Sequence, residues 1–413
     1  MKIQRTIPLI IPFDEDLINT VKEYTRAQNI VSPTCHNNGE KPLSRLKLHE
    51  ATYYELRDKT DLPSQMVCSV MRSVSSAYAN RELARRKQER KNQRKKNKLK
   101  KEQKEKPNNP IGFKKESALF LAGVGTGKDA SFKSDGSLSI ATIKDRKKLI
   151  YRIPEPFQKD FKTAVSVDSI TLTLDKNRLR GYVTITLEVP EPNGVKPVGV
   201  DLNESNLVVA VNTKGGEFIF DGKPLKARNK RSRQVKKRLQ SKLASRKAEG
   251  KDTRSIRRTL NRLGMHESNR TKNACRLAAC RLVEWAREDA IIVLEDLHLE
   301  AKSKSDYRYK KSDRRRLNSF PYLRLRTAIE GKCEREGISV GYINPAYTSQ
   351  KCNSCGSIGV RHRHKFDCPV CGYKAHSDVN AAKNIRDKFV VVRCDGALSI
   401  APEARSCGQA VAL

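Results

Sequence analysis

Hydrophobic and polar positions change period several times along the chain, so strands and helices are predicted in alternation. Ile170–Pro190, ITLTLDKNRLRGYVTITLEVP, alternates on both sides of a turn containing Asp175 and Asn177, and predicts a β-hairpin. Near the start, the apolar run Ile7 to Phe13 is broken by Pro8 and Pro12, which suits an edge strand. From Asp14 the spacing turns helical, with Leu17, Ile18, Val21 and Tyr24 behind Asp14 and Asp16 in the first turn. A second helical block, Pro63 to Lys106, has an apolar stripe only in its first half (Met66, Val67, Val70, Val74, Tyr78). Asn108-Asn109-Pro110 ends it, and residues 111–190 read as β-rich.

After the proline-marked junction Pro190–Pro197 comes PVGVDLNESNLVVAVNTKGGEFIF, a buried strand, an acidic residue and a second strand. Lys226–Arg262 has helical propensity without an apolar face, whereas Ser268–Arg287 is an ordinary amphipathic helix. AIIVLEDL is a short apolar strand ending in Glu295 and Asp296; Ala301–Arg316 is polar. Tyr322–Glu336 reads as a helix, Ile338–Pro345 as a strand and VNAAKNI, from Val379, as a helix. Little can be drawn from the composition beyond Asp387.

Charge changes this picture. The 413 residues hold 84 Lys and Arg against 46 Asp and Glu, a formal charge of +38. Such an excess opposes compaction by self-repulsion unless a polyanion neutralises it; nucleic acid leads, with an acidic membrane surface as the alternative. Two blocks concentrate it: Arg81–Lys106 with 14 basic and four acidic residues, and Lys226–Arg262 with 16 and two. Each reads either as a solvated helical face or as a rod along a phosphate backbone. No apolar run approaches a membrane span, and the amino terminus MKIQRTIPLIIPF lacks a small-residue cleavage site. Eleven cysteines, seven scattered singly, fit a reducing compartment rather than a disulfide framework. These features predict a soluble cytoplasmic protein of roughly two to four domains.

Four of those cysteines form two Cys-x-x-Cys pairs, Cys352/Cys355 and Cys368/Cys371, separated by twelve residues. This spacing fits a tetrahedral structural zinc ribbon, and Gly356 and Gly372 after the second cysteines suit knuckle turns. His362 and His364 lie between the pairs as rival ligands or nucleic-acid contacts. AGVGTGKD (Ala122–Asp129) has a superficial likeness to a phosphate loop but places Ala122 at the required first glycine and Asp129 at the magnesium-binding hydroxyl, so it reads as a surface turn.

Three acidic residues share one setting. Asp201 ends one apolar strand, Glu295 ends another, and Asp378 precedes the helix VNAAKNI. At neighbouring strand ends they would converge, repel and suffer raised pKa values. Two divalent cations resolve that conflict and can drive phosphodiester hydrolysis. The order of elements suits an RNase H-like fold with insertions. A strand-end cap or surface charge is the commoner use of any single carboxylate, and Asp296 rivals Glu295.

PAYTSQKCNSCG, CPVCGY and SDVNAAKNI together resemble the carboxyl-terminal signature of the TnpB proteins, transposon-encoded relatives of type V CRISPR effector nucleases. GVDLNESNLVVAV is similar to their first RuvC motif and IIVLEDL to the second, so the likeness spans residues 198–386. The resemblance implies a multidomain α+β chain. A wedge-like β-barrel (1–13 and 107–195) would be interrupted by a helical recognition domain (14–106). An RNase H-like (RuvC) nuclease domain (196–344 and 378–413) would hold a zinc-ribbon insertion (345–377). It implies Asp201, Glu295 and Asp378 as ligands of two Mg2+ ions and Cys352, Cys355, Cys368 and Cys371 as ligands of one Zn2+. It also implies a guide RNA transcribed from the transposon end, cleavage of double-stranded DNA beside a short transposon-adjacent motif, a nucleoid-associated location, and no small-molecule substrate. A guided repressor without cleavage, or an unguided zinc-ribbon binder, are the competing functions; the first would be expected to lack an acidic position.

Overall fold

The computed structural model describes residues 1–37, 41–96, 109–123, 129–175, 178–192, 194–286, 290–297 and 320–394. Over these residues the chain divides into two units, Lys2–Glu188 and the part beginning at Val189. The polar stretch 301–316, the tail after residue 394 and positions 97–108 of the first basic block lie outside them.

In the first unit β1 (Lys2–Leu9) is followed by three helices, α1 (Glu15–His36), α2 (Arg45–Lys59) and α3 (Ser64–Lys96). Six strands follow: β2 (Ser117–Leu121), β3 (Ala130–Phe132), β4 (Ser137–Ala141), β5 (Arg146–Ile150), β6 (Ser166–Asp175) and β7 (Arg178–Glu188), with α4 (Glu155–Lys162) between β5 and β6. The sheets run β1-β7-β6-β2 and β3-β4-β5. Single bridges join them at both ends, Ala122 to Ala130 and Ile10 to Arg152, so the seven strands form a ring. The expected hairpin is β6–β7; the run broken by Pro8 and Pro12 is the end of its sheet through Leu9, where it pairs with β7, but Ile10 bridges to Arg152 and closes the ring, so it is not the free edge expected.

Asp14 caps α1 by accepting from the Leu17 amide at 2.9 Å, and Leu17, Val21, Tyr24 and Val31 are buried. Helix α3 buries Met66, Val67, Val70, Val74 and Tyr78; past Arg81, Leu83, Ala84, Arg85, Arg86 and Glu89 are exposed. Helix α2 escapes the sequence pattern because it buries only Leu48, Thr52 and Leu56, one residue per turn. Asp129, at the end of the glycine-rich stretch, is buried and accepts from the Leu121 amide at 2.9 Å, a structural use of that carboxylate; positions 124–128 lie outside the described residues.

The second unit is built on β8 (Lys196–Asp201), β9 (Asn206–Val211), β10 (Glu217–Asp221), β11 (Ala290–Glu295) and β12 (Ser339–Ile343). Their order is β10-β9-β8-β11-β12, with β10, β9 and β8 antiparallel and β8, β11 and β12 parallel. Helices α5 (Lys223–Ala248) and α6 (Arg254–Ala286) connect β10 towards β11, and α7 (Tyr322–Glu336) precedes β12. Three short strands, β13 (Val360–His362), β14 (Lys365–Asp367) and β15 (Lys374–His376), lead into α8 (Ser377–Cys394).

Both faces of this sheet are covered, which explains the uninterrupted apolar runs. On one face Val198, Val200, Val208, Ala210, Ile292 and Leu294 pack on α6 and α7. On the other, Val209 and Val211 meet Val379 and Ala382, while Ile291, Val293 and Ile343 meet Ile385 and Phe389 of α8. Gly199 makes that close approach possible: a Cβ there would lie 2.1 Å from the Ala382 carbonyl oxygen. The basic block is not one helix. It breaks between α5 and α6, where Gly250 takes φ 66°, and the two helices run antiparallel. The Lys236–Glu267 ion pair and the Arg270–Ser232 hydrogen bond hold them together, and α5 buries no residue at all.

Candidate metal centres and the carboxylate site

The parallel register of β8 and β11 brings the first two carboxylates together. Gly199 pairs with Val293, and the same offset two residues on sets Asp201 beside Glu295. Alternation puts Glu295 on the side of Ile291 and Val293, the face α8 covers. Asp296 falls on the opposite side, where Arg326 of α7 approaches it at 3.4 Å. The tie between Glu295 and Asp296 is therefore resolved by which face each strand position takes. Helix α8 carries Asp378 in its first turn onto the same face, and Asp378 is 1% exposed.

The electrostatics agree with this convergence. Burial pushes the Asp201 carboxyl up to about 7; the Asn203 amide, donating at 2.9 Å, opposes the rise, and the Asp378 and Glu295 carboxylates add to it. Burial likewise raises Glu295, against the hydrogen bond donated by the Thr348 hydroxyl. Asp378 accepts from Asn206 Nδ2 at 3.1 Å and forms an ion pair with Arg361 at 2.9 Å. Arg361, on β13, went unremarked in the sequence, where only the cysteines and histidines around it carry a recognisable spacing. Its guanidinium supplies positive charge to the acidic cluster. Asp201 and Glu295, both with raised proton affinity, and the buried Asp378 on the same face offer hard oxygen donors of the kind divalent Mg2+ takes, while their oxygens do not lie within 4.8 Å of one another as the cysteine sulfurs do.

The four cysteine sulfurs lie within 4.8 Å of one another. Cys352 to Cys371 is 3.7 Å and Cys355 to Cys368 is 3.6 Å, close to the edge of about 3.8 Å of a tetrahedron with Zn–S of about 2.3 Å. The two knuckles repeat one pattern. Gly356 N donates to the Cys352 carbonyl (2.9 Å) and Gly372 N to that of Cys368 (3.0 Å); both glycines have positive φ, 75° and 71°. The Ser357 amide draws the Cys355 thiol down to about 6, whereas, against the Tyr373 amide, the neighbouring sulfurs push Cys371 up to about 11, so protons are shared unequally within the cluster until a metal takes their place. The donor set fits zinc.

Neither His362 nor His364 belongs to that sulfur cluster. His362 is exposed on β13. The His364 ring stacks on His376 at 5.4 Å and 18°, and this pair groups with Asp378. No helix among the described residues is long and apolar enough to cross a membrane.

Comparison with known proteins matches two families. The one described as "Probable transposase" covers residues 173–306, and "Cas12f1-like, TNB domain" covers 322–385. The CRISPR-associated endodeoxyribonuclease Cas12f1 of Syntrophomonas palmitatica is 29% identical over 238 residues, 48% of this chain and 47% of that protein. The TnpB-like protein MJ0751 of Methanocaldococcus jannaschii is 25% identical over 197 residues, 46% of this chain and 67% of its own. Against the Cas12f1 and Cas12f2 relatives the matched region spans less than half of the relative's length, 17%, 47% and 23%.

Among solved structures, the Cas12f1–sgRNA–target DNA complex superposes with TM-score 0.55 at 14% identity, covering 90% of this chain and 82% of that one. The mini-RNA-guided endonuclease CRISPR-Cas_phi3 gives 0.54 at 11%, covering 97% and 94%. The architecture is thus a mixed α+β, multidomain one of the kind found in the Cas12f and Cas12j effectors. Over residues 173–306 and 322–385 the chain is thus similar to the transposase and Cas12f1-like families, and over 197 residues to a TnpB-like protein.

Proposed function

We propose that this chain is an RNA-guided endonuclease that hydrolyses phosphodiester bonds of double-stranded DNA next to a short transposon-adjacent motif. The observation that carries the reading is the meeting of Asp201, Glu295 and Asp378 on one face of the β8–β11 sheet, with burial pushing Asp201 up to about 7. Support comes from the strand order β10-β9-β8-β11-β12, antiparallel strands continued by parallel ones, which suits the RNase H-like, RuvC-type domain proposed here. Further support comes from relatives named endodeoxyribonuclease and from a neighbour named RNA-guided endonuclease.

The proposed division of the chain follows. Residues 1–13 and 107–195 make a wedge-like barrel, 14–106 a helical recognition insertion, 196–344 and 378–413 the nuclease domain, and 345–377 the ribbon. Two Mg2+ ions, when bound, would supply activation of the attacking water and stabilisation of the leaving oxygen. The protein's own part is positional. Asp201 and Glu295 sit on adjacent strands and Asp378 on a packed helix, so their oxygens are held in place before any substrate arrives. Asn206 orients Asp378, and Arg361 offsets negative charge at the edge of the cluster.

The exposed, basic α5–α6 pair would track a guide RNA or an RNA–DNA heteroduplex by its backbone, leaving sequence to base pairing. Four thiolates holding one structural Zn2+ would fold the ribbon. Sequencing the RNA that co-purifies with the protein tests the guided reading. A defined RNA with one variable end is expected; random cellular RNA would support an unguided binder. Guided RNA without DNA cleavage in Mg2+ would support a repressor.

A further inference from the structure

Thr348 lies two residues beyond the β12 exit turn and four before Cys352, and it is 4% exposed. Its hydroxyl has one proton and two acceptors nearby, Glu295 Oε1 at 2.5 Å and the Pro345 carbonyl at 3.0 Å. The shorter contact, to a charged oxygen, takes the proton. Fixing one oxygen of Glu295 fixes the direction of the other.

The backbone that presents this hydroxyl is itself clamped. Asn384 Nδ2 donates to the Thr348 carbonyl at 2.9 Å and to that of Lys351 at 2.7 Å. Asn380, fully buried, donates to the Lys351 carbonyl at 2.8 Å and accepts from the Asn353 amide at 3.0 Å. Lys351 and Asn353 flank Cys352, the first ligand of the thiolate cluster. Asn380 and Asn384 stand on α8, the helix that begins with Asp378. A continuous set of hydrogen bonds therefore runs from the first zinc knuckle to Glu295, anchored on the same helix that carries Asp378.

We propose that Thr348 is a positioning residue for the carboxylate centre, and that the first zinc knuckle, through Asn380 and Asn384, holds Thr348 against Glu295. The ribbon is then a brace for the metal site as well as a surface for nucleic acid. This rests on the reading of Asp201, Glu295 and Asp378 as the metal-binding carboxylates.

The test titrates Mn2+ into the full-length, zinc-loaded protein without nucleic acid and follows free Mn2+ by electron paramagnetic resonance, with zinc content measured alongside. Thr348→Val, which deletes the hydroxyl and keeps the shape, is expected to weaken Mn2+ binding about 10- to 100-fold, the range for outer-shell partners, with zinc content unchanged. Thr348→Ser is expected to restore wild-type affinity. Asn384→Ala is expected to weaken binding in the same direction. Wild-type affinity in Thr348→Val, or no rescue by Thr348→Ser, overturns the positioning role. Weakening in Thr348→Val with wild-type affinity in Asn384→Ala overturns the coupling to the ribbon. An unchanged affinity in Asp201→Ala removes the carboxylate reading, and this proposal with it.

Discussion

Replacing Asp201 by Asn makes the acidic cluster a measurable load on the folded state. Burial holds the Asp201 carboxyl at about 7, against an ordinary 3.8. In the folded protein without divalent metal the group keeps its proton up to neutrality, whereas the unfolded chain releases it near pH 4. The unfolded state then binds fewer protons, so this group's contribution lowers stability as pH rises from about 4 to about 7 and is constant above. The full difference corresponds to about 4 kcal/mol. Because Asp201 is partly exposed, solvent screening reduces that to roughly 2–3 kcal/mol.

Asn carries no charge and can keep an oxygen for the Asn203 amide. Asp201→Asn should therefore match wild type near pH 4 and be more stable above pH 7 by about 2–3 kcal/mol, or roughly 5–10 °C in the melting temperature of this unit. Mg2+ at pH 8 should raise the wild-type midpoint and leave that of the variant nearly unchanged. Thermal denaturation at several pH values, in magnesium-free buffer with zinc retained, reads this directly. A stability difference that does not grow with pH, or a variant less stable than wild type at pH 8, would refute the claim that burial on this face, helped by the neighbouring carboxylates, holds the Asp201 proton to about pH 7.

Other predictions address separate parts of the chain. Asp201→Ala, Glu295→Ala and Asp378→Ala should each abolish DNA cleavage while RNA and target binding persist, measured with Mg2+ and a cognate guide; wild-type cutting by any one removes that residue from the site. Cys352→Ser should lower zinc content and weaken target engagement, since structural zinc carries folding energy; metal analysis finding equal zinc in variant and wild type would contradict it. Neutralising Lys and Arg on α5 should weaken binding and flatten its salt dependence, by up to about 0.9 in log–log slope for each phosphate the helix no longer neutralises; an unchanged slope would make α5 a merely solvated face.

Much of the second unit was legible because its strands are buried on both faces and end in acids. Apolar runs such as Ala290–Leu294 have little competing interpretation, and the cysteine spacing dictates the knuckles. The choice between Glu295 and Asp296 was not legible, since it depends on which face α8 covers, and Gly199 sets that only through a helix nearly two hundred residues later. Arg361 and Thr348 were missed for a related reason: an arginine in a basic run and a threonine in a turn gain meaning only from the carboxylates they meet. The break at Gly250 was hidden because the residues on both sides are basic and polar, so no apolar stripe marks where one helix stops. Helix α2 failed for want of a stripe too, whereas Tyr322–Glu336 carries buried Tyr322, Leu325, Ile329 and Cys333 at regular spacing and was read to its ends.

The most direct test of guided cleavage is reprogramming. The protein is purified with its co-expressed RNA, the variable end of that RNA is replaced by a chosen sequence, and plasmids are incubated with the complex and Mg2+. The account predicts cutting only of the plasmid that carries the new sequence beside the adjacent motif, with the cut moving whenever the RNA is changed. Cutting that ignores the RNA, or none in a complex that still binds the matched plasmid, would contradict it.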